Sequence, residues 1–109
     1  MIGLTGHEQA LATDGGLRAR EILAHRAFAD FLDRHLTVPI PNIGGHEYLV
    51  LRGTDAELMA EVDRIAGELG VTARWHMGRY EARRAFGDSV AYEVVCMPLV
   101  IPVATELAA

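Results

Sequence analysis

The amino-acid sequence predicts an α+β domain whose elements run helix, strand, helix, strand, strand. Three observations carry this reading. Residues Leu17–Leu36 repeat apolar side chains at helical spacing, and Thr54–Gly70 opens on a helix-start signal and closes on a stop signal. Between and after them lie short β-rich runs: His46–Arg52, Val71–Phe86 and Val90–Met97.

Residues 1–16 are weakly patterned, end on Asp14-Gly15-Gly16, and are expected to form a flexible N-terminal arm. In the first helix Ala24, Phe28, Phe31, Leu32 and Leu36 fall on one arc, while Arg26, Asp30, Asp33 and Arg34 take the opposite face. His35 lies inside that arc and His25 at its edge, positions where a histidine packs more often than it binds a ligand. Pro39 and Pro41 push their predecessors out of helical geometry and end the helix, and Gly44-Gly45 completes the connector.

The second helix is the best signalled element. Thr54-Asp55-Ala56-Glu57 reads as a capping box, in which hydroxyl and carboxylate each satisfy the other residue's amide. Leu58, Met59, Val62, Ile65, Ala66 and Leu69 line its inner face, and Gly70 supplies a left-handed stop. Glu57, Glu61, Asp63, Arg64 and Glu68 line its outer face. Glu57 and Glu61, four residues apart with like charge, oppose helix stability slightly. That face is read as solvated or, functionally, as an acidic stripe for a basic partner.

The second strand starts at Val71–Trp75, breaks at an irregular turn over Met77-Gly78-Arg79, and resumes at Tyr80–Phe86. The third, Val90–Met97, is apolar on both faces except at Glu93, so it is expected at the centre of the sheet. The expected fold is thus a three-stranded mixed sheet of order 1-3-2, a split βαβ whose crossover sets the first two strands parallel, with both helices on one face. The Arg-rich second strand forms an edge, where charge discourages stray pairing. Residues 17–97 make a single domain, and 98–109, interrupted by Pro98 and Pro102, an extended C-terminal tail.

Composition narrows the function classes. At 109 residues the chain can bury a core without staples. A net charge of −5 argues against wholesale binding to nucleic acid or an anionic membrane. All ten basic residues are Arg, which removes Schiff-base and lysine-base chemistry. One cysteine allows no intramolecular disulfide, and neither a signal-peptide pattern nor a spanning segment is visible, so a cytoplasmic location is expected. No catalytic residue, metal site or cofactor is predicted. Ser89 lacks a nucleophile-elbow context, Cys96 sits in the most apolar strand as a small hydrophobe, and the five histidines show no metal-ligand spacing.

Charge is uneven along the chain. Glu47–Val71 sums to −4, Thr72–Gly87 to +3, and Asp88 to the C-terminus to −3. Two readings compete. The favoured one is a non-enzymatic protein-interaction module, a homodimer with a further protein partner, engaging through Glu57, Glu61, Glu68, Tyr80, Arg84 and Phe86 or through the tail. The alternative is a nucleic-acid-binding accessory protein using Arg74, His76, Arg79, Arg83 and Arg84, with Trp75 and Tyr80 interleaved as stacking platforms. A pocket near Trp75, His76 and Tyr92 for a small molecule is the third reading.

The run Ala60-Glu61-Val62-Asp63-Arg64-Ile65-Ala66, then Leu69-Gly70-Val71-Thr72, Tyr80–Gly87 and Val90-Ala91-Tyr92 resembles small uncharacterised proteins of high-GC actinobacteria and their phages, over roughly Phe28 to Val95. That resemblance implies a mobile-element context, with inhibition or regulation of a host protein as one role. It carries over no catalytic residue.

Overall fold

The computed structural model describes residues 15–99. Its elements are α1 (Leu17–Arg34), β1 (Glu47–Leu49), α2 (Asp55–Leu69), β2 (Arg74–His76), β3 (Arg79–Ala85) and β4 (Ala91–Cys96). The α+β class stands, but the sheet has four strands in the order β1-β4-β3-β2.

The added strand comes from the turn at Met77-Gly78. Both residues take left-handed φ, 52° and 77°, which folds what reads as one interrupted strand into a tight hairpin. The direction of the chain reverses there, so the expected strand orientations change. β1 pairs parallel with β4, and β4 pairs antiparallel with β3. The strand parallel to β1 after the α2 crossover is therefore the three-residue β2, not Tyr80–Phe86. β2 also takes the edge position from the Arg-rich strand along Arg79–Glu81, leaving Ala82–Ala85 without a strand on that side among the described residues. The centrality of the last strand holds: β4 alone pairs with both β1 and β3.

Alternation sorts the sheet into two faces. Tyr92, Val94 and Cys96 of β4 share one face with Tyr80, Ala82 and Arg84 of β3, Tyr48 of β1 and Trp75 of β2. Both helices pack there. Leu58, Val62, Ile65, Ala66 and Leu69 of α2 join Phe31 of α1 and the strand residues in one core. Tyr92 is fully buried, and its hydroxyl donates to the Pro39 carbonyl at 2.7 Å, so the ring's polar end is satisfied.

The capping box of α2 forms as expected, with the Glu57 amide donating to Thr54 Oγ1 and the Thr54 amide to Glu57 Oε1, and Gly70 is left-handed at φ 74°. The carboxylate of Glu57 is held below its usual range by those hydrogen bonds from Thr54. α1 starts at Leu17 as expected, with Gly16 already in helical φ and ψ, and departs from expectation at its other end. The helix stops at Arg34, where the His35 amide still donates to Phe31, and Leu36 falls outside the apolar arc, exposed. The ring of His35 stacks on Phe31 at 4.1 Å and its Nδ1 meets Glu68 at 3.0 Å, the border role read from its position. The expected N-terminal arm up to Asp14 and the tail from residue 100 lie outside the described residues.

Candidate functional site

The face of the sheet away from the helices presents Arg74, His76, Arg79, Glu81, Arg83 and Glu93, with Glu47 and Leu49 beyond β4. Its charges are interlocked. Arg79 donates to Glu47 at 2.6 Å and lies 3.7 Å from Glu81, His76 meets Glu81 at 3.0 Å, and Arg83 meets Glu93 at 3.3 Å. Four members of the proposed nucleic-acid set (Arg74, His76, Arg79 and Arg83) share this face, but three of them are matched to carboxylates. The basic ribbon of the sequence becomes a lattice of both signs, because the neighbouring strands add Glu47 and Glu93 to the ribbon's own Glu81 among its cations. Arg84, the fifth member, points the other way.

The residues assigned to a protein partner lie elsewhere. Tyr80, Arg84 and Phe86 are on the helix-covered side. The Tyr80 hydroxyl donates to Asp63 at 2.6 Å, and Phe86 meets Phe28 edge-on at 5.4 Å. The guanidinium of Arg84 sits 4.9 Å from the ring centres of both Phe31 and Phe86 and donates to the Leu69 carbonyl, a cation–π clamp between β3, α1 and α2. On α2, Glu57 caps the helix, Glu61 binds Arg64 and Glu68 binds His35. These six side chains are used to hold the fold together. Trp75, His76 and Tyr92 are not brought together either: Trp75 packs on Tyr80 at 5.2 Å, His76 is on the opposite face, and Tyr92 is two strands away.

What the topology does bring together is one end of the sheet. β1 and β4 are parallel, so Leu51 and Met97 emerge at the same end, and β3 runs against them, so the Met77-Gly78 turn is there too. The amide of Leu99 donates to Asp55 Oδ1 at 3.0 Å, holding the departing chain against the first turn of α2 at that end. Leu51, Met77, Met97 and Leu99 are 72, 88, 55 and 94 % exposed. Met77 combines two unfavourable features. A side chain with a Cβ in left-handed φ costs about 1 kcal/mol, and turns of this kind favour Asn, Asp or Gly at that place. Its thioether, large and apolar, nevertheless projects into solvent.

Sequence reasoning missed this end because the four residues are scattered over Leu51–Leu99 and only strand direction unites them. The Cys96 thiol is buried and pushed up to about 11, first by burial and then by Asp55 and Asp63, which keeps it protonated. Among the described residues no three His, Cys, Asp or Glu side chains are placed to hold a metal ion, and no helix is long and apolar enough to cross a membrane. No family model matches the chain, and no curated protein or solved structure matches it.

Proposed function

We propose that the chain is a non-enzymatic protein-interaction module that self-associates through the apolar end of its sheet. The observation that carries this is Met77: an exposed methionine held in left-handed backbone geometry where glycine or asparagine would be cheaper. Strain kept in a turn with no contact among the described residues to repay it points to a contact outside the monomer. Methionine suits such a contact, because its unbranched, polarizable side chain adapts to an apolar partner surface. An apolar patch is complementary to itself about a two-fold axis, which is the commonest way small proteins associate. Four exposed apolar side chains at one end of the sheet offer little area, so the expected dimer is weak, with Kd on the order of micromolar. In the mobile-element setting implied by the resemblance, the same end would exchange a second copy for a host protein with an apolar groove.

Met77→Gly separates this function from a structural role. It removes the apolar side chain and relieves the left-handed strain in one change. Light scattering should give a dimer mass for the native chain and a monomer mass for the variant, while the variant gains thermal stability when both are compared as monomers. A native chain that stays monomeric at roughly millimolar concentration, or a variant that still dimerises, sinks the proposal.

A further inference from the structure

A second place in the molecule, at the opposite end of β4, has the shape of a small-molecule site. β1 pairs with β4 only from Glu93 onward, so the first half of β4 has no strand beside it on that flank. The Gly44-Gly45 turn and α1 close around the gap and leave a cleft of about 430 Å³, lined among others by His25, Phe28, His46, Arg83, Ser89 and Glu93. That volume falls within the range of small-molecule sites.

The hydrogen bonds already made decide what the cleft can still offer. His25 Nδ1 lies 2.8 Å from the Glu21 carbonyl and His46 Nδ1 lies 3.1 Å from the Gly44 carbonyl. A carbonyl only accepts, so each neutral ring carries its proton on Nδ1 and keeps a bare Nε2 as an acceptor. Ser89 spends its hydrogen on Glu21 and keeps oxygen lone pairs. Glu93 gives one oxygen to Arg83 and keeps the other. Two imidazole nitrogens, a hydroxyl oxygen and a carboxylate oxygen therefore outnumber the donors, which are the Arg83 guanidinium and the Ala91 amide on the open flank of β4. Such a set favours a ligand that brings more N–H groups than acceptors, while half-buried Phe28 supplies an apolar wall.

We infer that this cleft binds a flat, amino-bearing nitrogen heterocycle of nucleoside size, its N–H edge toward His25, His46 and Glu93 and its ring against Phe28. Gly44 belongs to the same device. A Cβ there would stand 3.0 Å from His46 Cε1, and its φ of 58° already excludes most side chains, so the turn is shaped to seat that imidazole. The inference is independent of self-association at the other end of the sheet.

Calorimetric titration of the full chain with guanosine, which presents a ring N–H and an amino group, tests it. Saturable binding is expected, weakened by about tenfold with inosine, which lacks the amino group, as the loss of one hydrogen bond of about 1.4 kcal/mol implies. His25→Leu, on an exposed helix position, and Glu93→Gln, which keeps its size beside Arg83, should each weaken guanosine by a similar factor with an unchanged circular dichroism spectrum. No saturable heat with guanosine approaching millimolar concentration overturns the inference. So does tighter binding of benzoate or inorganic phosphate, or undiminished binding in both variants.

Discussion

The guanidinium of Arg79 on β3 reaches the carboxylate of Glu47 on β1 at 2.6 Å, although β4 runs between the two strands. To do so the side chain has to cross the open face of β4. Val95, which lies between Glu81 and Leu49 in register on that face, is 1 % exposed. The contact is thus an ion pair and an apolar cover at once. Arg79→Ala should cost about 1–2 kcal/mol in urea unfolding, and much of that loss should persist at high salt, because packing is not screened. Glu47→Gln should cost less than about 1 kcal/mol, since both charges are partly exposed. If Arg79→Ala and Glu47→Gln have equal, fully salt-sensitive effects, the side chain acts as a charge alone.

Met77→Gly should raise the unfolding free energy by about 0.5–1 kcal/mol, because the left-handed φ of 52° suits glycine and the exposed thioether is not packed against the described residues. Thermal unfolding at low protein concentration, where association does not contribute, gives the number. A loss of stability would mean that the methionine packs within its own chain.

Gly87 allows α1 to approach the sheet. A Cβ built there would stand 2.6 Å from the Ala24 Cβ, closer than real carbon atoms come. Gly87→Ala should push the first half of α1 away and cost about 1–3 kcal/mol, read as faster hydrogen exchange in residues 17–27 with α2 unchanged. Adding Ala24→Gly should recover part of the loss despite its own helix cost of about 1 kcal/mol. Strictly additive effects would show that the two positions do not meet.

Three weakly acidic groups make the fold sensitive to alkali: the Tyr92 phenol, pushed up chiefly by burial, the Tyr80 phenol and the Cys96 thiol. Burial, then hydrogen bonding to Asp63, pushes the Tyr80 phenol from 10.0 up to about 12, and burial first pushes the Cys96 thiol from 9.0 up to about 11. All three are raised, so the protonated forms favour the folded state. Their contribution is complete below the unfolded values and is lost as pH climbs, between about 9 and 11 for the thiol and about 10 and 12 for the Tyr80 phenol. The urea midpoint should hold steady up to about pH 9 and then decline. Tyr80→Phe should flatten the upper part of that decline, and an unchanged slope would remove Tyr80 from the account.

The sequence was legible where one residue type serves one local purpose. Thr54, Glu57 and Gly70 mark the ends of α2 because capping is a matter of a few adjacent atoms. The apolar run of Ala91–Cys96, broken only at Glu93, marked the sheet centre because a strand covered on both sides tolerates it. The hairpin was hidden because Met77 stands where a turn signal would normally be, so the chain reversal left only Gly78 to announce it. Arg84 was misleading for a different reason. Alternation places it with Tyr80, Ala82 and Phe86, but that face can be assigned to the helices only once Phe31 is known to lie under the guanidinium. The cleft was beyond reach, since His25, His46, Arg83 and Glu93 line it together only when four separate segments have closed.

The place of β4 in the chain also constrains when the molecule can form. β1 and β3 each pair with β4, and β4 is the last strand of the described residues. During synthesis β1 therefore emerges with its partner still unmade, and only the helices and the local β2–β3 hairpin can take shape early. The core closes in one late step, when Ala91–Cys96 slides between two strands that have been waiting for it. A nascent chain halted before Tyr92 would carry an apolar helix face and open strand edges with no β4 to cover them, so the working life of this protein starts only once β4 is free.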